Sequence, residues 1–182
     1  ELSFNVIERW RISTGSRDYP MRIPVAHTFD IAPNGSHIVT GLDDGRVCLW
    51  NTLTGETIKC LDQFQYGQLL PTVVFSPTET VVAIANGSGL WLWDIDSFEI
   101  IGEINYPANL VTFSNNGDQL AYQTLDGEIH VAYLSEMSIS ETLEPKLVIE
   151  TPFIDSLAFS ANDSMLLTSS HDENDVWLRV YD

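Results

Sequence analysis

The chain has 182 residues, 44% hydrophobic and 10% aromatic, enough for one or two domains with a sizeable core and too apolar for a disordered chain. Twenty-six acidic side chains stand against eight basic ones, a formal net charge of -18. That balance speaks against nucleic acid and anionic membranes as partners, because affinity for phosphates comes largely from Lys and Arg, and it favours basic peptides or domains. No apolar run nears the roughly 18 residues of a membrane span, and no signal-peptide pattern is present. The chain opens at Glu1 rather than Met and enters a strand almost at once, so it reads as an excised piece whose lack of targeting signals carries no weight.

In chain order, Phe4–Ile12 and Tyr19–Val25 read as two strands. Short runs rich in β-branched and aromatic residues follow, among them His37–Thr40, Val81–Ala85, Gln119–Gln123 and Met165–Thr168. Turn chemistry separates them: Pro33-Asn34-Gly35, Asp43-Asp44-Gly45, Asn115-Asn116-Gly117 and Asp126-Gly127, where Asn-Gly and Asp-Gly accept the positive φ of tight hairpins. Leu90-Trp91-Leu92-Trp93 is apolar on both faces, as expected of a strand covered on both sides. Glu136–Glu144 is the best helix candidate, though Ser, Thr and Met in an outer-edge loop explain it as well. Cys48 and Cys60 are too few for a disulfide framework. They fall on neighbouring strands, where a bridge can form, but two buried thiols and a cytosolic or nuclear home are the expectation. Three N-glycosylation patterns begin at Asn34, Asn86 and Asn162, and each reads better as a turn.

An internal repeat organises these pieces. Phe29-Asp30-Ile31-Ala32-Pro33-Asn34-Gly35, Val73-Val74-Phe75-Ser76-Pro77-Thr78-Glu79, Val111-Thr112-Phe113-Ser114-Asn115-Asn116-Gly117 and Leu157-Ala158-Phe159-Ser160-Ala161-Asn162-Asp163 are copies of one motif. Their central apolar residues lie 44, 38 and 46 positions apart. A second series alternates with it: Val47–Asn51, Leu90–Asp94, Ile129–Tyr133 and Leu178–Asp182, with Val6–Arg11 as a weaker first copy. Trp10, Trp50 and Trp93 are 40 and 43 apart. A period near 40–45 with Phe-Ser-Pro and Leu-Trp-Asp signatures resembles the WD-repeat family, whose unit is a four-stranded propeller blade. The resemblance covers nearly the whole chain and implies an all-β propeller of radial antiparallel blades. With strands a to d counted outward, it predicts a half blade over 1–26 (c and d), full blades over 27–64, 65–105 and 106–151, and a three-stranded blade over 152–182. Both terminal pieces supply a strand c, so they do not complete each other. The expectation is a window of a seven- or eight-bladed ring, with a closed four- or five-bladed ring as the alternative, and with apolar faces to be covered by flanking blades or self-association.

The family often buries a hydrogen-bonded tetrad in each blade: Trp on strand c, Ser or Thr on b, Asp in the b–c turn and His before strand a. Trp50, Thr40 and Asp44 match three positions, while His27 sits too close to strand a to be the fourth. Trp93 lacks the turn Asp, Asp126 faces Ala132 at the Trp position, and Tyr181 stands in the last blade. His171-Asp172-Glu173-Asn174-Asp175 is the densest polar cluster, but it lacks the Gly and the closing Glu of a calcium loop and reads as a solvated turn. Gly87-Ser88-Gly89 is not a nucleophile elbow. The four His are scattered, His130 reads as a packed strand residue, and neither catalysis nor a metal or cofactor is expected.

The function expected is therefore a non-catalytic scaffold for other proteins. The alternatives are a sensor module of a larger NTPase or kinase chain, or the propeller domain of a hydrolase. On this register the face ringed by d–a and b–c loops exposes Leu42, Asp43, Tyr66, Asn86, Asn109, Leu125, Phe153, His171 and Asp172. It forms an acidic rim with apolar tips suited to a basic or basic-hydrophobic peptide.

Overall fold

A computed structural model describes residues 4–17, 21–64, 69–78, 80–134, 147–150, 154–171 and 175–182. Strand β1 (Phe4–Ile7) pairs with β4 (Met21–Pro24), and a small hairpin of β2 (Trp10–Arg11) and β3 (Ser16–Arg17) leaves from between them. Three four-stranded antiparallel sheets follow: β5 (Ala26–Ile31), β6 (His37–Leu42), β7 (Val47–Asn51) and β8 (Thr57–Leu61); β9 (Thr72–Phe75), β10 (Val81–Ala85), β11 (Leu90–Asp94) and β12 (Glu99–Ile104); β13 (Ala108–Phe113), β14 (Gln119–Thr124), β15 (Glu128–Tyr133) and β16 (Leu147–Glu150). A three-stranded sheet of β17 (Ser156–Phe159), β18 (Leu166–His171) and β19 (Val176–Tyr181) ends the described chain. No α-helix occurs among the described residues, and Glu136–Glu144 lies outside them.

Within each four-stranded sheet, sequence order equals spatial order, so every connection is a hairpin. The first strands touch across sheets, β5 to β9, β9 to β13 and β13 to β17. They are the inner strands around which the sheets radiate. Each second strand is buried almost throughout, on both faces, because a sheet lies to either side. The core is accordingly a series of apolar layers between sheets. Val39, Val47, Leu49, Val73, Val82 and Trp93 fill one layer; Ala83, Leu92, Val111, Phe113 and Leu120 fill the next.

The turns explain the repeated motifs. After strand a, Ser114 Oγ donates to Asn116 Oδ1 (2.7 Å) and accepts from the Gln119 amide (2.9 Å). Ser160 does the same with Asn162 (2.8 Å) and Met165 (3.0 Å). After strand c, Asp94 Oδ1 accepts the amides of Asp96 (3.1 Å) and Ser97 (2.7 Å), and Asn51 Oδ1 accepts those of Leu53 and Thr54, both at 2.9 Å. The Trp-Asp pair thus joins two jobs: the ring fills an inter-sheet layer and the carboxylate closes the next turn. The three glycosylation patterns are turns of the same kind, with the Asn side chain accepting the amide of Ser36, Ser88 or Ser164.

Two expectations need correction. The sequence places Trp10 on a strand c, but Phe4–Ile12 breaks after Ile7, and the chain turns back through Gly15 at φ 64. Trp10 therefore sits on the β2–β3 hairpin, 56% exposed, rather than in a layer. Cys48 and Cys60, expected as buried thiols, are joined as a disulfide. They are direct partners in the β7–β8 register, which sets their side chains on one face.

Apolar side chains are exposed near both ends of the described stack, although Ile7 and Ile23 of the β1–β4 sheet pack on Ile38, Leu42 and Trp50. Val176, Leu178 and Val180 on β19 are 75%, 71% and 61% exposed. At the other end Phe29 and Ile31, on the outward face of β5, are exposed as well.

Candidate interaction face at the loop ends of the blades

At one end of the sheets, each b–c turn is tied to a segment that leads into a strand a. The Asp43 amide donates to Val25 O (3.0 Å), Gly87 to Ala108 O (2.7 Å) and Leu125 to Pro107 O (3.0 Å), while Asp155 donates to Ser169 O (2.7 Å). The Gly87 bond crosses from one sheet to the next, and the other three fix the loop ends within a single sheet. Gly41 packs against the segment leading into β9: a Cβ there would clash with Pro71 O, and the Thr28 hydroxyl already donates to that carbonyl (2.6 Å).

The residues expected on this face divide. Asp43 and His171 are exposed, and Asn109 and Leu125 are half-buried. His171 Nδ1 lies 2.6 Å from Asp155 Oδ2, tying the last b–c turn to the start of β17. Leu42 and Asn86 are not surface residues, at 0% and 2% exposure. Strand β6 runs two residues past Thr40, which carries Leu42 into the layer with Ile23, Ile38 and Trp50. Asn86 turns inward, its Nδ2 donating to Phe64 O (3.4 Å). Tyr66, Phe153 and Asp172 lie outside the described residues.

Sequence reasoning missed Tyr106, an exposed aromatic in the segment between β12 and β13. Its ring is 5.0 Å from that of buried His130. The signal for it was Tyr106-Pro107 just before a strand a, in the only d–a segment of the described chain where an aromatic directly precedes a proline. The neighbouring Asp126 is exposed in its turn.

The tetrad is reduced to a pair. Trp50 Nε1 donates to Thr40 Oγ1 at 2.9 Å. Asp44 does not join; it points out to the Arg46 guanidinium (2.8 Å), and that hydrogen bond holds its carboxyl below the usual carboxylate range. His27 is exposed on β5. Trp93 is fully buried, with no hydrogen-bond partner for Nε1 among the described residues, because Ile84 stands where Thr40 stands one sheet earlier. In the next sheet Ala132 and Tyr122 take the two positions, and Asp126 takes no part in the pairing around them. There His130 bridges, its Nε2 donating to Glu128 (2.8 Å) and its Nδ1 3.3 Å from the Tyr122 hydroxyl.

Radial four-stranded sheets with hairpin order and two-sided burial define a β-propeller. Comparison with known proteins sharpens this. The family described as "WD domain, G-beta repeat" matches residues 24–51, which span β5 to β7. The propeller domain of Cps50 (Swd1) from Myceliophteria thermophila superposes with a TM-score of 0.73 at 13% identity, over 92% of this chain and 56% of that one. The p21-activated protein kinase-interacting protein 1-like of Xenopus laevis is 25% identical over 86% of this chain and 48% of its own. The small ribosomal subunit protein RACK1 of Medicago sativa is 28% identical over 43% of this chain and 23% of its own. The chain therefore has the β-propeller fold, with a WD repeat matched at residues 24–51, and it spans half or less of the length of these curated relatives.

Proposed function

We propose that the chain is a non-catalytic platform that binds other proteins through the end where its d–a and b–c loops meet. The observation that carries this reading is the pairing of exposed side chains with a rigid base. Asp43 and Asp126 are displayed on b–c turns that follow buried b strands, Tyr106 stands in the segment that the Leu125 amide ties to the Asp126 turn through Pro107 O, and His171 ends β18 against Asp155. Aromatic and carboxylate groups held this way suit a basic or basic-hydrophobic segment, with the overall charge of -18 steering it in. The names of the relatives fit: one is described as interacting with a kinase, another as a protein of the small ribosomal subunit. The acidic surface points to protein rather than RNA as the contact within any such assembly.

The exposed apolar side chains of β5 and β19 support a second element of the reading: further blades of a longer ring cover Phe29, Ile31, Val176, Leu178 and Val180. A cytosolic or nuclear location would require the Cys48–Cys60 pair to be reduced in the cell, because disulfides rarely persist there. Alkylation of thiols at lysis, followed by mass spectrometry, distinguishes the two states.

The test of the platform is capture by the intact protein, unaltered and carrying Asp43→Lys with Asp126→Lys, with bound proteins identified by mass spectrometry. At least one stoichiometric partner is expected to be lost with the double variant. An unchanged set, with the variant folded, removes this face from consideration.

A further inference from the structure

Two successive blade junctions carry a groove in the same place, at the end opposite the d–a and b–c loops. Between the β9–β12 and β13–β16 sheets it has a volume of about 330 Å³ and is lined by Val81, Leu92, Ile101 and Leu134. Thr78 and Gly117, both on a–b turns, form its mouth. Between the β13–β16 and β17–β19 sheets the groove holds about 250 Å³. Strand registers place Gln119 and Val131 where Val81 and Leu92 stand in the first groove, and strand d again supplies an isoleucine, Ile149. The first groove lies between two sheets that each have all four strands. A cleft at this position therefore occurs even where both neighbouring sheets have four strands.

The second groove differs in chemistry. Its far wall is Phe159, Met165 and Tyr181, with Tyr133 closing the near side. Tyr133 and Met165 are more than a third exposed. Among the described residues no basic side chain lines it, and Asp163 and Asp182 stand at its rim. The Asp163 carboxylate is fixed in place: Oδ1 accepts the Asn115 amide and its Nδ2, both at 2.7 Å, and Oδ2 accepts the Asn116 amide at 3.0 Å. A volume of about 250 Å³ falls below the roughly 300–1,000 Å³ of ordinary small-molecule sites. It suits one or two side chains of a bound peptide.

We infer that this cleft docks an extended segment of another protein in which a large apolar residue lies next to an arginine or lysine. The apolar residue enters between Val131, Ile149, Phe159 and Met165, where the polarisable thioether adapts to its shape. The cation meets the acidic rim and the faces of Tyr133 and Tyr181, which attract it through their π-systems. This surface lies at the other end of the blades from the loop face, so either can fail without the other.

The chain has three methionines, Met21, Met137 and Met165, so ¹³C-methyl labelling of methionine gives a spectrum in which the loss of one signal in Met165→Leu assigns the reporter. The probe is an acetylated, amidated peptide of sequence Ser-Leu-Arg-Phe-Ser, titrated into the intact protein. The Met165 signal is expected to shift saturably while that of Met21 stays in place. Replacing the arginine of the peptide by glutamate is expected to weaken binding by at least about tenfold, because a like charge then faces the rim. Tyr133→Ala and Asp163→Asn should each weaken it several-fold, and Asp43→Lys should not. An unshifted Met165 signal at millimolar peptide overturns the inference, as does equal binding of the glutamate peptide. A Met165 signal that moves with protein concentration alone also overturns it, since a second copy would then be the occupant. The peptide exchange is made on the unaltered protein and stands whether or not Tyr133→Ala folds.

Discussion

The β5–β8 and β13–β16 sheets have the same strand order and the same register between their second and third strands, yet they fill the buried space between those strands differently. In the first, Trp50 supplies the bulk from strand c and its indole N–H finds Thr40 on strand b. In the second, strand c offers only Ala132, and the bulk comes from strand b as Tyr122, whose hydroxyl meets His130 and, through it, Glu128. The intervening β9–β12 sheet keeps the tryptophan but supplies Ile84 as its neighbour, leaving the Trp93 N–H unpaired among the described residues. What these sheets share is a filled layer. The residue that fills it, and whether its polar atom is matched, varies from blade to blade.

The largest test of that contrast is truncation. Trp50→Ala removes both the volume and the hydrogen bond, and should cost about 3–5 kcal/mol in denaturant unfolding. A midpoint close to that of the unaltered protein would mean the layer is not filled by this ring. Next comes the covalent tie special to the β5–β8 sheet. Opening the Cys48–Cys60 bridge, which spans 12 residues, by Cys60→Ser should cost about 2–3 kcal/mol by the loop-entropy account. Reducing agent should then have no further effect on the variant's melting temperature.

The unmatched indole offers a finer test. At an ordinary core site Thr is worse than Val, because it buries a hydroxyl at a cost of about 1–3 kcal/mol. At position 84 the hydroxyl would meet the Trp93 N–H, so Ile84→Thr should be at least as stable as Ile84→Val. If Thr is worse by the usual margin, Trp93 does not lack an acceptor and the contrast between the two tryptophans falls. The smallest effect concerns the tie between the β13–β16 and β17–β19 sheets. The Asn115 amide, helped by its side chain and by the Asn116 amide, holds the Asp163 carboxyl below the usual range. A carboxyl whose folded pKa is depressed contributes stability that is present above the unfolded pKa of about 3.9 and is lost as pH falls through the folded value. Thermal stability should therefore decline on acidification below about pH 4, and Asp163→Asn should flatten part of that decline.

Much of the fold was legible in the strands and turns. The Phe-Ser motif marks a strand a and the serine that closes its turn, and the Leu-Trp-Asp motif marks a strand c and the carboxylate that closes the next one. The two-sided apolar character of Leu90-Trp91-Leu92-Trp93 announced neighbours on both faces. The first half blade was less legible. Trp10 has the right spacing, but Ile12-Ser13-Thr14-Gly15 turns the chain before the strand can reach a layer. The candidate face was legible only in outline. Asp43 and His171 fell where turn chemistry put them, whereas Leu42 and Asn86 were misplaced, because an end of strand b and a turn residue look alike in sequence and differ in which way the side chain points.

By itself the sequence determined the order, spacing and polarity of the strands, because β-branched runs, Asn-Gly and Asp-Gly turns and capping hydroxyls are local devices that act between neighbours in the chain. Only the tertiary structure decided which indole finds an acceptor, that Cys48 faces Cys60, and that clefts open between the sheets. Those outcomes depend on groups some ten to fifty positions apart meeting across strands and layers, where packing, rather than propensity, chooses the partner.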